Sequence, residues 1–159
     1  MNKLRALLCA PLMVALLLWT GAASSVNAQG GRYERLYAQL EQTGLSANKL
    51  AFLTEEAVRA GVTSFILVAT SERYGRSGSN GQIELSTALS GGTGVINITH
   101  EIAHIASFKR GCRTHAKCWI EAYLAIAQRY EARFPGEKWS GVKPTQRVLQ
   151  NVERYAINM

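Results

Sequence analysis

Thr99-His100-Glu101-Ile102-Ala103-His104-Ile105 lies past the midpoint of the chain, and the fold is read outward from it. On a helix, two histidines four residues apart project from the same face, one turn above the other. The flanking residues argue for a helix independently. Val95, Ile98, Ile102 and Ile105 recur at intervals of three, four and three, which is the stripe of an amphipathic helix. At about 100° per residue, that stripe points nearly opposite to His100 and His104. A helix from about Thr93 to Phe108 therefore buries one side in a core and turns both imidazoles towards a cleft. Two imidazoles so placed can reach one zinc ion at about 2.0–2.1 Å. Ala103 and Ala106 are small and leave room near the metal. Glu101 stands beside the histidines but not between them. It can take a proton from an attacking water without being a ligand, the general-base role in an HExxH helix.

A catalytic zinc takes three protein ligands. All three histidines of the chain fall within sixteen residues, and His115 follows His104 by eleven. A short loop, Lys109 to Thr114, could turn back and bring His115 to the pair at the start of the next helix. Glu121, seventeen residues after His104, is the alternative. His115 is favoured, being an imidazole with no other evident purpose. Cys112 and Cys118 bracket it, and a disulfide between them would fix the loop that presents the third ligand. A separate structural zinc on Cys112, His115 and Cys118 would lack a fourth ligand.

Further out, the hydrophobic period changes along the chain. Arg32 to Thr43 reads as a helix with Tyr33, Leu36, Tyr37 and Leu40 on one face and Gly44 at its end. Ser46 suits the cap of a second helix, with Leu50, Leu53 and Ala57 inward and Gly61 closing it. Ser64 to Thr70 is β-branched and apolar, a buried strand. Tyr74 to Gly81 is turn chemistry, and Gln82 to Thr87 alternates as a half-exposed strand. After the central helix, His115 opens a long helix ending at Pro135-Gly136, with Trp119, Tyr123, Ile126 and Tyr130 inward. Pro144 fits the first turn of a C-terminal helix whose buried side is Val148, Val152 and Tyr155.

Residues 1–28 read differently from the rest. Lys3 and Arg5 precede an apolar run, Leu7 to Trp19, and a small and polar stretch ends in Val26-Asn27-Ala28. This is the pattern of a secretory signal peptide, so residues 29–159 are expected to be one exported domain, periplasmic or extracellular, with no membrane span after cleavage. Cleavage removes Cys9 and leaves Cys112 and Cys118, an even pair in an oxidising compartment. The chain carries 18 Lys and Arg against 11 acids, all Glu. The basic residues are dispersed, so they read as a solvated surface, and no nucleic-acid partner is expected. Oligomeric state has no signature in the sequence.

From about Leu36 to Pro135 the chain resembles the SprT-like, or Spartan-type, metallopeptidase family. The likeness rests on Gln82-Ile83-Glu84-Leu85-Ser86, similar to that family's strand, on His100-Glu101-Ile102-Ala103-His104, and on His115-Ala116-Lys117-Cys118-Trp119. The last is similar to the family's H-G-x-x-F/W segment, with Ala116 in place of the usual Gly. The resemblance implies Zn²⁺ on His100, His104 and His115, Glu101 as base, and an aromatic, Trp119, behind the third ligand. It also implies a zincin-like α+β fold: a small antiparallel sheet beside the active-site helix, with flanking helices. It covers the catalytic core alone. The expected function is hydrolysis of protein or peptide substrates, with the half-exposed strand 82–87 pairing an extended chain. Alternatives are a zinc hydrolase acting on cell-wall peptides and a non-catalytic zinc-binding module.

Overall fold

The computed structural model describes residues 30–69, 74–89, 91–112, 115–137 and 139. The expected signal peptide (1–28) and the C-terminal helix expected from Pro144 lie outside the described residues. Four helices and three strands follow in the order α1 (30–41), α2 (Ala47–Ala60), β1 (Ser64–Val68), β2 (Gly75–Ser77), β3 (Gln82–Ser86), α3 (Gly91–Phe108) and α4 (Lys117–Arg133). The molecule is α+β.

The helical periods locate the core. Leu36 and Leu40 of α1, Leu50, Leu53 and Ala57 of α2, and Val95, Ile98, Ile102 and Ile105 of α3 are all buried in one cluster. From α4 the cluster takes Trp119, Tyr123, Ile126 and Tyr130. In α2, α3 and α4 the inward face expected from the sequence is the face that packs; in α1 Leu36 and Leu40 are buried and Tyr33 stays half-buried, and β1, expected to be buried throughout, leaves Ile66 41 % exposed. Gly61 ends α2 in the left-handed region, at φ 89°, and its N–H reaches the carbonyls of Ala57 and Val58. That conformation costs glycine little and other residues much. Ser46 caps α2 with its main chain: its carbonyl accepts from Lys49 and Leu50, while its side chain makes no capping bond.

Two expectations about the sheet are corrected. The sheet is mixed, not antiparallel, in the order β1-β3-β2. β3 runs parallel to β1, with Phe65 opposite Ile83, and antiparallel to β2, with Gly75 opposite Leu85. The chain leaves β1, skips one strand position, descends as β2 and returns as β3 into the gap. The second correction concerns 74–81. Only Gly78 to Gly81 form the turn, with the Gly81 N–H on the Gly78 carbonyl at 3.0 Å. Gly75–Ser77 is a short edge strand. Gly and Ser are weak strand formers, so pairing with β3 creates a strand that local composition does not announce.

The central strand is therefore β3, and both its edges are taken. The outer edge of β1 is partly blunted, because the Gln39 side chain accepts the Phe65 N–H at 2.8 Å. β2 pairs with β3 and with no other strand among the described residues. α3 occupies the middle of the molecule and packs against α2, α4, β2 and β3. On the far side of α3, the buried carboxylate of Glu56 on α2 receives both nitrogens of the Arg129 fork from α4, at 2.7 and 2.6 Å. No helix among the described residues is long and apolar enough to cross a membrane.

Candidate metal centre

The buried stripe of α3 sets the direction in which His100 and His104 point. Their Nε2 atoms lie 3.2 Å apart. His115 sits in the bend before α4, two residues ahead of the helix it was expected to open, and Ala116 is the residue at the helix boundary. From there its Nε2 comes to 3.2 Å from His100 Nε2. The three residues form a group that could hold a metal ion, each offering one nitrogen, with all three atoms within 4.8 Å of one another. Glu121, the other residue considered for third ligand, points elsewhere: its carboxylate pairs with Arg110 at 2.7 Å on the surface.

Trp119 is the floor of this cluster. It is 1 % exposed, and its ring centroid lies 4.8 Å from that of His100, 5.3 Å from His104 and 4.5 Å from His115. Its indole N–H donates to the His100 main-chain carbonyl at 3.3 Å, which ties the floor to α3. Tyr123 stacks beneath it at 5.3 Å, and the Tyr123 hydroxyl accepts from the Trp139 indole at 3.3 Å. Phe108 stacks on the other side of His104 at 5.9 Å. Three imidazoles thus stand on a stack of rigid aromatics, which limits the rotamers open to them.

Burial, reinforced by the neighbouring His115, pushes His100 down to about 4. Burial together with His100 and His115 pushes His104 down to about 3. Burial lowers His115 as well. All three rings are therefore neutral near pH 7 and offer lone pairs, the form in which imidazole binds a metal. His104 Nδ1 is buried and has no hydrogen-bond partner. In a neutral ring whose Nε2 held a metal ion, Nδ1 would carry the proton.

Glu101 points to the sheet side of the same helix and is 8 % exposed. Burial raises its pKa, and a hydrogen bond from the Ser77 hydroxyl offsets part of that rise. β2 lies against it so closely that a Cβ placed on Gly75 would stand 2.8 Å from Glu101 Cγ and 3.2 Å from Cδ and Oε1. Gly75 and Ser77 were read from the sequence as turn residues, and nothing in a Gly-Arg-Ser triplet marks them as neighbours of a carboxylate.

Cys112 and Cys118 are paired at disulfide distance, with Cα atoms 6.6 Å apart. Their sulfurs meet each other and do not join His115 in a second metal group. The pair closes the segment that carries His115 onto the first turn of α4. Ala103, expected to leave room at the metal, is instead fully buried in the core. Ala106 also packs against that core. Tyr74 is 57 % exposed just before β2, Tyr123 is buried under Trp119, and Arg113 lies outside the described residues.

No family model, curated protein or solved structure matches this chain. Its chemistry therefore has to be argued from its own residues.

Proposed function

We propose that the protein is an exported zinc metallopeptidase in which His100, His104 and His115 hold the metal and Glu101 is the general base. The observation that carries this reading is the convergence of three neutral imidazole nitrogens beside a buried carboxylate, with His100 Nε2 at 3.2 Å from each of its two neighbours. The spacing suits zinc. Bonds of about 2.0–2.1 Å to ligands in tetrahedral arrangement put neighbouring nitrogens about 3.3 Å apart. Three imidazoles and no thiolate or second carboxylate also form the donor set of a catalytic site with one place left open. When bound, zinc supplies Lewis-acid polarisation of the scissile carbonyl and of the attacking water.

The remaining work falls to the chain. Glu101 accepts a proton from the attacking water at its carboxylate and passes it to the leaving amide nitrogen. Its raised pKa suits a group that must both take and give a proton near neutrality. Trp119 and Phe108 exclude solvent from the far side of the histidines. An extended substrate cannot add to β3, as the sequence suggested, because β1 and β2 occupy both its edges. The open edge belongs to β2. There the Tyr74 carbonyl and the Gly78 N–H bond inward to Ser86 and Gln82, so the alternation of an antiparallel pair turns the main-chain groups of Gly75 and Ser77 outward. Strand addition at those two residues would lay a peptide alongside Glu101 and the histidines. The proposal carries with it kinship to SprT-like metallopeptidases at the level of the catalytic core.

The test is metal content and hydrolysis measured together on the purified protein. One zinc per chain is expected, lost in His115→Ala and kept in Glu121→Ala. Glu101→Gln should keep the zinc and lose about 10²–10⁴-fold in the rate of casein cleavage. Parallel incubation with purified peptidoglycan separates protein substrates from cell-wall peptides. Stoichiometric zinc in a Glu101→Gln protein that hydrolyses as fast as the parent would refute the assignment.

A further inference from the structure

We propose that Gly75 and Ser77 of β2 form a seat that fixes the carboxylate of Glu101, making them positioning residues for the base. The inference rests on the reading of Glu101 given above. Three observations lead to it. First, the two residues lie on one face of β2, the face turned to α3, since side chains alternate along a strand. Second, Gly75 approaches Glu101 so closely that a single added carbon would sit 2.8 Å from its Cγ. The φ of Gly75 is not in the left-handed region, so glycine is not required there by the backbone. What requires it is the side chain opposite. Third, Ser77 shares that face, and its hydroxyl, as a donor towards the carboxylate, works against the rise in pKa that burial imposes on Glu101. Gly75 thus limits how far the Glu101 stem can swing towards the sheet, and Ser77 sets the direction in which the carboxylate faces. A base must be held within hydrogen-bond reach of the proton it takes, and a misplacement of about 1 Å costs on the order of a hundredfold in rate.

The seat also gives a reason for the composition of β2. A strand of bulky residues would pair better with β3 but would displace Glu101. Ser77 stands opposite Ile83 and Gly75 opposite Leu85, so the large partners that fill the core come from β3 and the small ones that leave room for the carboxylate come from β2.

Two readouts test the seat. The first needs no substrate. Thermal midpoints are measured for the parent, Gly75→Ala, Glu101→Ala and the double variant. Gly75→Ala should lower the midpoint by several degrees in the parent and by little in the Glu101→Ala background, because the clash is with that side chain. Equal shifts in both backgrounds would overturn the seat. The second readout is hydrolysis of casein. Ser77→Ala should lower kcat by about ten- to a hundredfold with KM and zinc content unchanged, since its main-chain edge is intact. Ser77→Thr restores the hydroxyl and should recover most of the loss. Full kcat in Ser77→Ala alongside an inactive Glu101→Gln sinks the seat and leaves the base standing. A fully active Glu101→Gln sinks the base, and the thermal cycle still decides whether the seat exists.

Discussion

His104 shows what a single residue pays for its place. It is held under Phe108 and against Trp119, its Nδ1 has no partner, and burial with two neighbouring imidazoles drives it down to about 3. His100 is driven down to about 4 in the same way. Protons would therefore compete weakly with a metal ion for these two rings. Three ordinary imidazoles, titrating near 6.5, would lose about a thousandfold in zinc affinity at pH 5.5, roughly tenfold for each ring. Here the affinity of the Glu101→Gln variant, followed by Trp119 fluorescence, should fall by no more than about tenfold between pH 7.5 and 5.5. Without metal the same shifts act on stability. A depressed folded-state pKa contributes stability that is present above 6.5 and lost as pH falls through about 4 for His100 and about 3 for His104. The urea midpoint of the metal-free protein should decline over that window. Glu101 has the opposite sign. Its folded pKa is raised, so its favourable share of stability exists below the ordinary carboxylate value of 4.5 and disappears as pH rises. Glu101→Gln should therefore unfold at a higher temperature than the parent at pH 7.

At the scale of elements, the site depends on α4 keeping its place beside α3, and two devices fix α4, one to the His115 segment and one to α2. One is the Cys112–Cys118 pair, which closes the His115 segment onto α4. Replacing both cysteines with serine should weaken zinc binding by about ten- to a hundredfold, as loss of a ligand's support does, while leaving the helical signal in circular dichroism intact. The other is the Glu56–Arg129 clasp between α2 and α4. Arg129→Ala removes the two-bond partner of a carboxylate that is 3 % exposed and leaves it only the longer Arg59 contact at 3.6 Å. Breaking a buried pair costs about 3–5 kcal/mol, but the Arg129 side chain is 39 % exposed, so a loss of about 2–3 kcal/mol in urea unfolding is expected. These elements also show how far the sequence could be read. The stripe Val95, Ile98, Ile102, Ile105 announced α3 because burial of one helical face leaves a period, and that period also turned His100 and His104 away from the core stripe. The three histidines were legible because their residue type is scarce and their spacing is chemical. β2 was not legible, because Gly75-Arg76-Ser77 has no strand propensity and owes its conformation to β3. The parallel pairing of β1 with β3 escaped for a related reason: strand order depends on where the chain returns, which no local pattern records.

For the whole molecule, the metal would add a link between parts of the chain already joined by packing, by the Trp119–His100 hydrogen bond and by the Arg110–Glu121 pair. His100 and His104 belong to the central helix, and His115 belongs to the segment before α4. A ligand that binds the folded state and not the unfolded one stabilises by about 2.7 kcal/mol at a free concentration of a hundred times its Kd. For a domain of this size, each kcal/mol moves the thermal midpoint by about 2–4 °C. Saturating zinc should therefore raise the midpoint of chelator-treated protein by roughly 5–11 °C. The shift should vanish in His100→Ala, because that ring is the one whose nitrogen meets both of the others. It should survive in Glu101→Gln, which lies outside the ligand set. Magnesium, which prefers oxygen ligands, should produce no shift. If zinc moves the parent and His100→Ala equally, the ion is binding somewhere else, and the convergence of the three imidazoles has been given the wrong meaning.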